Sequence, residues 1–380
     1  VIVSGANFVE SENLGCLFGG VPGTATYLTG NSIECSSPAA SSLSGSVLLQ
    51  ITMNGEDFID SPVPFAFLPS ITIDSISPNF GEVDGNTPVT LPGSNFVFSG
   101  DLYCRFKTTK VAASFVSSST IICASPASTD ENNRAVDLSV TNNDVDYSAP
   151  TTFTYVEGAS ITSIFPKRGS LEGGTIVTVS GENFMSSDGL GCKFDKPSVV
   201  VVPAMYVDES TITCITPSSN SLVSSSILVT NNNVDFSPSP QKFHYINNIA
   251  VFSVSPTVGH PDISTTVVLS GFNFVDSSEV LCKFENGDDS IVTSGRFISS
   301  NQIECDSPSN GDVGSSHELH LSVNGQDFVN TNHNFFYEEA PKVDSFSPTF
   351  GPQIGATTVT VTGENFSLTK QLSCRFGSIS

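Results

Sequence analysis

The sequence predicts an all-β protein made of tandem β-sandwich domains. Apolar and polar residues alternate in short runs, and no competing stretch shows the period of a helix. One set of motifs recurs about every 88 to 92 residues. The length of 380 residues is enough for several domains of ordinary size. Strand patterning and repetition together set the fold class.

The tetrapeptide Gly-x-Asn-Phe is the clearest mark of the repeat. Each of its last four copies follows a proline by 15 residues, and that proline precedes a glycine-rich turn such as Asn79–Gly81. A fixed offset at every copy makes chance similarity untenable. The motif begins at Gly5, Gly93, Gly181, Gly271 and Gly363.

The nine cysteines follow the same repeat. Cys-x-Phe comes after every Gly-x-Asn-Phe, and a second cysteine in Cys-x-Ser/Thr-Pro follows 19 to 23 residues later in all copies but the last. We expect one disulfide per repeat, with Cys374 unpaired because its partner would lie beyond Ser380. The expected pairs are Cys16–Cys35, Cys104–Cys123, Cys192–Cys214 and Cys282–Cys305.

A disulfide in every repeat indicates an oxidising compartment, so we predict an extracellular location, secreted or at the cell surface. Zinc is the rival explanation, but the cysteine spacing lacks Cys-x2-Cys or a histidine partner. The net charge of −24 argues against nucleic acid and anionic membranes as partners. The longest apolar run, 199–207, is broken by Pro203 and is too short to span a bilayer.

Within one repeat, about seven short strands follow one another. An Asn-rich turn precedes the last strand, and its residues tolerate the positive φ of a tight hairpin. Seven short strands in about 90 residues match the size and spacing of an immunoglobulin-like sandwich. Between residues 70 and 157, six of these strands are placed by the pattern, at 72–77, 88–91, 102–106, 120–123, 136–140 and 153–155.

The ordered motifs resemble the IPT/TIG domain. The resemblance rests on a Ser-x-Pro opening, Val-Thr-Val-x-Gly-x-Asn-Phe, Cys-x-Phe, Cys-x-Thr-Pro and a closing Phe-x-Tyr, and it covers essentially the whole chain. It implies tandem immunoglobulin-like β-sandwiches. It leaves the function open, because such domains occur in plexin and Met-type receptors, in microbial surface proteins and in Rel-type transcription factors. The paired cysteines resemble the extracellular members.

Five repeats are expected, numbered 1 to 5 below. Repeat 1 is partial because it lacks a first strand, and repeat 5 contains only the N-terminal part of a domain. Residues 359–380 align with 1–22, so we expect a slice of a longer array. The alternative is head-to-tail complementation, in which residues 342–348 of one chain supply the missing strand of the next. The repeats span residues 1–69, 70–157, 158–247, 248–339 and 340–380.

No motif predicts catalysis or a cofactor, so we expect a protein that is not an enzyme. His317 and His320 are three residues apart and should face opposite sides of a strand, which disfavours a shared metal. Calcium bound by acidic turns is the alternative, although turn-forming Asp explains the same pattern. The acidic residues in question are Asp57, Asp144, Asp146, Asp235, Asp327, Asp288 and Asp289.

Glycans are expected as covalent modifications. The serine-rich loops suit O-glycosylation in a secreted chain, and the one N-glycosylation sequon starts at Asn365. Carbohydrate recognition is disfavoured because the chain has no Trp to stack against a sugar ring.

The repeats predict a structural or adhesive extracellular protein. In this interpretation a stiff, disulfide-stapled rod self-associates, head-to-tail or laterally, into a filament or surface coat. The alternative is a receptor or adhesin ectodomain that binds a protein ligand. That alternative requires one repeat to differ from the others, and the candidate is repeat 4 with its acidic segment 285–289.

Overall fold

The computed structural model describes residues 1–39, 45–130, 132–366 and 373–377. The chain divides into two compact units, Val1–Glu157 and Gly158–Ser380. Throughout the described segments, the regular elements are strands. None of these segments forms a helix with the length and apolarity needed to cross a membrane.

The first unit contains repeats 1 and 2. The strands of repeat 1 are β1 (Ile2–Ser4), β2 (Gly15–Phe18), β3 (Val21–Thr29), β4 (Ser32–Ser36), β5 (Gly45–Val47), β6 (Leu49–Thr52), β7 (Phe58–Asp60) and β8 (Phe65–Phe67). The strands of repeat 2 are β9 (Thr72–Ile73), β10 (Phe80–Glu82), β11 (Pro88–Ser94), β12 (Tyr103–Phe106), β13 (Thr109–Ser117), β14 (Thr120–Ala124), β15 (Ala135–Thr141) and β16 (Thr151–Val156).

The second unit contains repeats 3, 4 and 5. The strands of repeat 3 are β17 (Ser160–Phe165), β18 (Arg168–Ser170), β19 (Ile176–Glu182), β20 (Gly191–Phe194), β21 (Val200–Asp208), β22 (Thr211–Ile215), β23 (Ser224–Thr230) and β24 (Ser237–Ile246). Those of repeats 4 and 5 are β25 (Ala250–Ser255), β26 (Val258–Gly259), β27 (Thr266–Phe272), β28 (Leu281–Asn286), β29 (Asp289–Ser299), β30 (Gln302–Asp306), β31 (Ser316–Ser322), β32 (Val329–Tyr337), β33 (Lys342–Ser347) and β34 (Thr360–Glu364).

Repeats 2, 3 and 4 are sandwiches whose two sheets share one long strand. In repeat 2 this strand is β13, which pairs with β12 through residues 109–112 and with β14 through residues 113–117. The resulting order is β10-β16-β15-β12-β13-β14-β11-β9. Repeats 3 and 4 use β21 and β29 in the same way. The predicted all-β, immunoglobulin-like fold is confirmed, and β10 and β13 are strands that the sequence did not indicate.

Phenylalanines from two motifs form the centre of each core. The Phe of Cys-x-Phe packs edge to face against the Phe of the closing strand, with ring centroids 5.2 Å apart for Phe106 and Phe153. Both rings are almost completely buried. Burying such a ring contributes about 1.5 to 3 kcal/mol, and an edge-to-face pair about 0.5 to 1.5 kcal/mol more. The corresponding pairs are Phe18–Phe65, Phe194–Phe243 and Phe284–Phe335.

The glycine of Gly-x-Asn-Phe lets the first strand of a repeat approach closely. A Cβ on Gly181 would lie 2.0 Å from the carbonyl oxygen of Ser160 in β17 and 2.6 Å from Cζ of Phe184, the last residue of the motif. Neither distance is compatible with a side chain, so glycine is required. The same two obstacles surround Gly93, Gly271 and Gly363.

The asparagine of the motif fastens the start of the repeat. Asn183 has a positive φ of 62°, a conformation that Asn tolerates, and its Nδ2 donates a hydrogen bond to the carbonyl of Gly158 at 2.9 Å. Asn95 and Asn273 donate in the same way, at 2.8 Å, to the carbonyls of Ser70 and Asn248. The motif therefore recurs because it ties the linker and first strand to the sandwich.

The closing Tyr and the Pro of Cys-x-Ser/Thr-Pro are also partners. The hydroxyl of Tyr155 donates to the carbonyl of Pro126 at 2.8 Å, and Tyr245 and Tyr337 make the same bond in repeats 3 and 4. Repeat 1 departs from this pattern because Phe67 stands at the tyrosine position.

Repeat 5 shows the first-strand register without a core around it. Its β33 pairs Val343 with Gly363, as β17 pairs Ile161 with Gly181. Ile161 is 6% exposed, whereas Val343 is 57% exposed. The register of this strand is therefore the same in repeat 5, where the strands formed by the described residues are β33 and β34.

The substitution Gly181→Ala should lower the free energy of unfolding of repeat 3 by about 1 to 3 kcal/mol or more, because the new methyl group meets a backbone carbonyl that cannot move independently. Hydrogen exchange in increasing urea would report residues 158–247 separately from the rest. Gly100→Ala is the control, since a Cβ there would meet nothing within 4 Å. An unchanged midpoint for Gly181→Ala would contradict this explanation of the motif.

Tyr155 and Tyr245 should ionise late in an alkaline titration. Burial raises the pKa of each to about 12, from an ordinary value of about 10. Because the folded-state pKa is the higher one, the neutral hydroxyls stabilise the fold below about pH 10, and this contribution is lost as the pH rises towards 12. Tyr155→Phe should reduce the late rise in tyrosinate absorbance. An undiminished late rise in the Tyr155→Phe variant would contradict this expectation.

Candidate functional site

The structure brings the eight paired cysteines together at the centres of repeats 1 to 4. The sulfur bonds are Cys16–Cys35, Cys104–Cys123, Cys192–Cys214 and Cys282–Cys305, with Cα–Cα distances of 6.1 to 6.4 Å. Each cysteine is at most 1% exposed. In repeat 2 the bond connects β12 to β14 and so joins the two sheets. Cys374 is exposed and, within the described residues, has no sulfur partner.

The acidic turns are hydrogen-bonded hairpins. In repeat 1, Oδ1 of Asn54 accepts the backbone N–H groups of Glu56 and Asp57, while its Nδ2 donates to Oδ2 of Asp57 at 2.8 Å. Asn143 and Asp146, Asn232 and Asp235, and Asn324 and Asp327 repeat the Asn–Asp bond. A turn of this kind explains the acids without a ligand. Over residues 1–39, 45–130, 132–366 and 373–377, no three His, Cys, Asp or Glu side chains are grouped to hold a metal ion.

Asp144 in the second turn has a different partner. Its Oδ2 lies 2.6 Å from Nζ of Lys110, and this hydrogen bond lowers the pKa of the carboxyl group. The side chain of Arg105 stacks on Tyr147 at the end of the same hairpin, 3.6 Å from the ring centroid. The acidic residue is therefore part of a charged surface network and is not directed towards the other turn acids.

The two histidines of β31 are directed to different surroundings. His317 packs edge-on against Tyr337, with ring centroids 5.3 Å apart, and burial lowers its pKa. His320 lies with its Nε2 3.2 Å from Oε2 of Glu285. The structure does not bring the two rings together.

Asn365 occupies the asparagine position of the Gly-x-Asn-Phe motif. Its φ is 61°, and its Nδ2 donates to Oε2 of Glu339 at 2.8 Å. That nitrogen is the atom to which an N-linked glycan would be attached. The third residue of the sequon, Ser367, lies outside the described residues.

The serine-rich loops predicted to carry O-linked glycans contain exposed hydroxyls. Residues 40–44 of the first such loop lie outside the described residues. Exposed serines in these loops include Ser36, Ser37, Ser118, Ser119, Ser218 and Ser309.

The acidic segment of repeat 4 is the tip of a long hairpin. Strand β28 ends at Asn286, β29 begins at Asp289, and Gly287 between them has a φ of 63°. Lys283 lies 2.5 Å from Glu285 and lowers the pKa of that carboxyl group. The extra residues of repeat 4 therefore lengthen two paired strands.

Repeat 3 carries a surface that the sequence analysis did not single out. On β21, the outward-facing residues Val201, Pro203, Met205 and Val207 are all apolar. Met205 is 69% exposed. Ile176 pairs with Ile215 across β19 and β22, which is the neighbour of β21, and both isoleucines are exposed. We call these six side chains the apolar face of repeat 3.

The other repeats are polar at the position of Met205 but not along the whole face, because exposed Leu28, Val116 and Ile298 stand at the position of Val207. Alignment on the second cysteine of each repeat places Thr26, Ser114 and Arg296 at the position of Met205. At the position of the Ile176–Ile215 pair, repeat 4 has Thr266 hydrogen-bonded to Asp306 at 2.7 Å. A signal was present in the sequence, because residues 199–207 are apolar at both alternating positions and a half-buried strand should be apolar at only one.

The family model for the IPT/TIG domain matches residues 1–67, 71–155, 159–245, 251–337 and 341–380. Mouse fibrocystin-L is 28% identical over 317 residues, which is 79% of this chain and 7% of that protein. Mouse plexin-A3 is 28% identical over 210 residues, which is 53% of this chain and 11% of that protein.

A solved structure of the plexin A4 full extracellular region has a TM-score of 0.38 and 14% identity, and the match covers 93% of this chain and 38% of that one. The chain thus spans about a tenth or less of the curated relatives. With five matched segments that cover most of its length, the chain belongs to the IPT/TIG domain family.

Proposed function

We propose that the chain is a non-catalytic segment of an extracellular, receptor-like ectodomain that binds a protein ligand. Four buried disulfides support the extracellular assignment, because such bonds persist in oxidising compartments. Relatives among the plexins and fibrocystin-L support an ectodomain, since IPT/TIG domains occur in plexin receptors.

The apolar face of repeat 3 is the observation that supports ligand binding most directly. Within a common frame, repeat 3 has exposed Met205 at the position where repeats 1, 2 and 4 have Thr26, Ser114 and Arg296. Contiguous exposed apolar side chains on a soluble domain are typical of protein–protein contacts. Repeat 3 also has five basic and seven acidic side chains, which makes it less acidic than the chain as a whole. A protein partner would therefore meet little electrostatic opposition there.

The repeat proposed to bind the ligand is therefore repeat 3, whereas the sequence had indicated repeat 4. Repeat 4 differs in length, but its extra residues extend a hairpin whose charges are paired locally. Repeat 3 differs in the chemistry of a sheet face. The acidic segment 285–289 is therefore not the proposed binding site.

Assembly into a filament or coat has weaker support. A polymer of repeats would be expected to use a surface that several repeats share, whereas among repeats 1 to 4 only repeat 3 has an apolar residue at the position of Met205. The relatives reported above do not point to a polymer. Self-association, head-to-tail or lateral, would give a crosslinked product of two copies of this chain.

A photo-crosslinking residue in place of Met205 should form a covalent adduct with another protein when the full chain is presented to intact cells of its source. The same residue at Ser114, the matched position of repeat 2, should form none. Val201→Lys should abolish the adduct at position 205, because it places a charge in the apolar face. Repeat 2 has Lys110 at the position of Val201, so the fold accommodates this change.

The mass of the adduct distinguishes the outcomes. A product heavier by the mass of a different protein supports the proposal. A product of twice the chain mass would show that the apolar face binds a second copy of this chain instead of a different protein. Equal adducts at positions 205 and 114 would show that the apolar face has no specificity.

A further inference from the structure

The hairpin of repeat 4 is covered by repeat 3. Asn324, which begins this hairpin, is 2% exposed, whereas Asn54 and Asn143 at the same position in repeats 1 and 2 are exposed. Nδ2 of Asn324 donates to the carbonyl of Arg168 at 3.0 Å, in addition to its bond to Asp327. One face of the hairpin is therefore occupied by the neighbouring repeat.

A hydrogen bond to a carboxylate completes the contact between repeats 3 and 4. Oγ1 of Thr175 donates to Oδ2 of Asp327 at 2.6 Å, and Thr175 is 2% exposed. Hydrogen bonds to a carboxylate are stronger than those between neutral groups, and they are strengthened further away from water. Nε2 of Gln326 also donates to the carbonyl of Ile176 at 2.8 Å.

Shape complements these hydrogen bonds. Gly325 at the hairpin tip has a φ of 78°, and a Cβ there would lie 3.1 Å from Cζ of Phe165. The ring of Phe165 in repeat 3 thus packs against Gly325, which has no side chain. Asn248 in the linker bonds to Ser170 and, at 2.7 Å, to Oε1 of Glu172, so the linker is attached to the same end of repeat 3.

Both halves of this contact recur along the chain. A threonine follows the glycine of the opening turn by six residues, and a Cβ on that glycine would lie 2.2 to 2.7 Å from the threonine Oγ1. The threonines are Thr87, Thr175, Thr265 and Thr357. In the hairpins, the Asn–Asp bond has the same geometry whether the turn is exposed or covered. The hairpin is therefore formed before any partner binds.

We propose that the Asn–Asp hairpin is a docking element that recognises the threonine-bearing end of a neighbouring IPT/TIG domain. At residues 324–328 it holds repeats 3 and 4 in one orientation. The exposed hairpins at 54–58 and 143–147 present the same asparagine amide and aspartate oxygen, so they fit the same kind of partner. This inference goes beyond ligand binding, because it concerns how the domains of the array are held.

The test is hydrogen exchange of the full chain with Thr175→Val. This substitution keeps the shape of the side chain and removes the hydroxyl that bonds to Asp327. Amide exchange at residues 324–328, in the next repeat, should become about tenfold faster, since a hydrogen bond to a charged group is lost. Thr265→Val is the matched control and should leave exchange at 324–328 unchanged.

The reciprocal variant is Asp327→Ala. It should accelerate exchange at residues 168–177, across the contact, while Asp57→Ala in the exposed hairpin should not. If Asp327→Ala affects only its own hairpin and Thr175→Val leaves 324–328 within twofold of the parent, the hairpin is a local turn and the proposal is wrong. If Thr175→Val unfolds repeat 3, exchange will rise over all of 158–247, and the response to Asp327→Ala then decides the question.

Discussion

The disulfide between the two sheets is the constraint on which each complete repeat depends. It lies beside the buried Phe of the same strand, and that ring packs against the Phe of the closing strand. A covalent bond across a loop of about 20 residues stabilises a small sandwich by about 3 kcal/mol in the chain-entropy account. Because this bond and the rings fix the interior, the outward faces are free to differ between repeats without loss of the fold.

This division between interior and surface explains how one frame supports different roles. At the matched outward position, repeat 4 has Arg296, which pairs with Glu304, whereas repeat 3 has Met205. With Arg296 at this position, the outer face of the sheet in repeat 4 is polar and can be hydrated. The apolar version in repeat 3 exposes a surface whose burial against a partner would be favourable. Contact between domains uses a third region, the hairpin end, so it need not compete with a ligand for the sheet face.

The fold could be predicted from the sequence because a local contact or backbone conformation requires each residue of its motifs. Gly181 and Asn183 stand where a Cβ would clash and where a positive φ is needed, and such demands leave a periodic signature. The long strand at 109–117 gave a weaker signature, because Ala112 and Ala113 are both small and Val116 is apolar although 58% exposed, so the alternation is blurred. The Thr175–Asp327 bond could not be predicted either, because its partners are 152 residues apart and each has an ordinary local role. The apolar face left a sequence signal only in the run 199–207, which is too short to span a membrane.

We infer that the chain is an oxidised, extracellular array with one cross-sheet disulfide in each of repeats 1 to 4. The most direct test is peptide mapping without reduction, after thiol alkylation of the protein from its natural source. The account predicts four linked peptide pairs, joining Cys16 to Cys35, Cys104 to Cys123, Cys192 to Cys214 and Cys282 to Cys305. Alkylated thiols at both Cys104 and Cys123 would contradict it, because they would show that the chain functions in a reducing compartment.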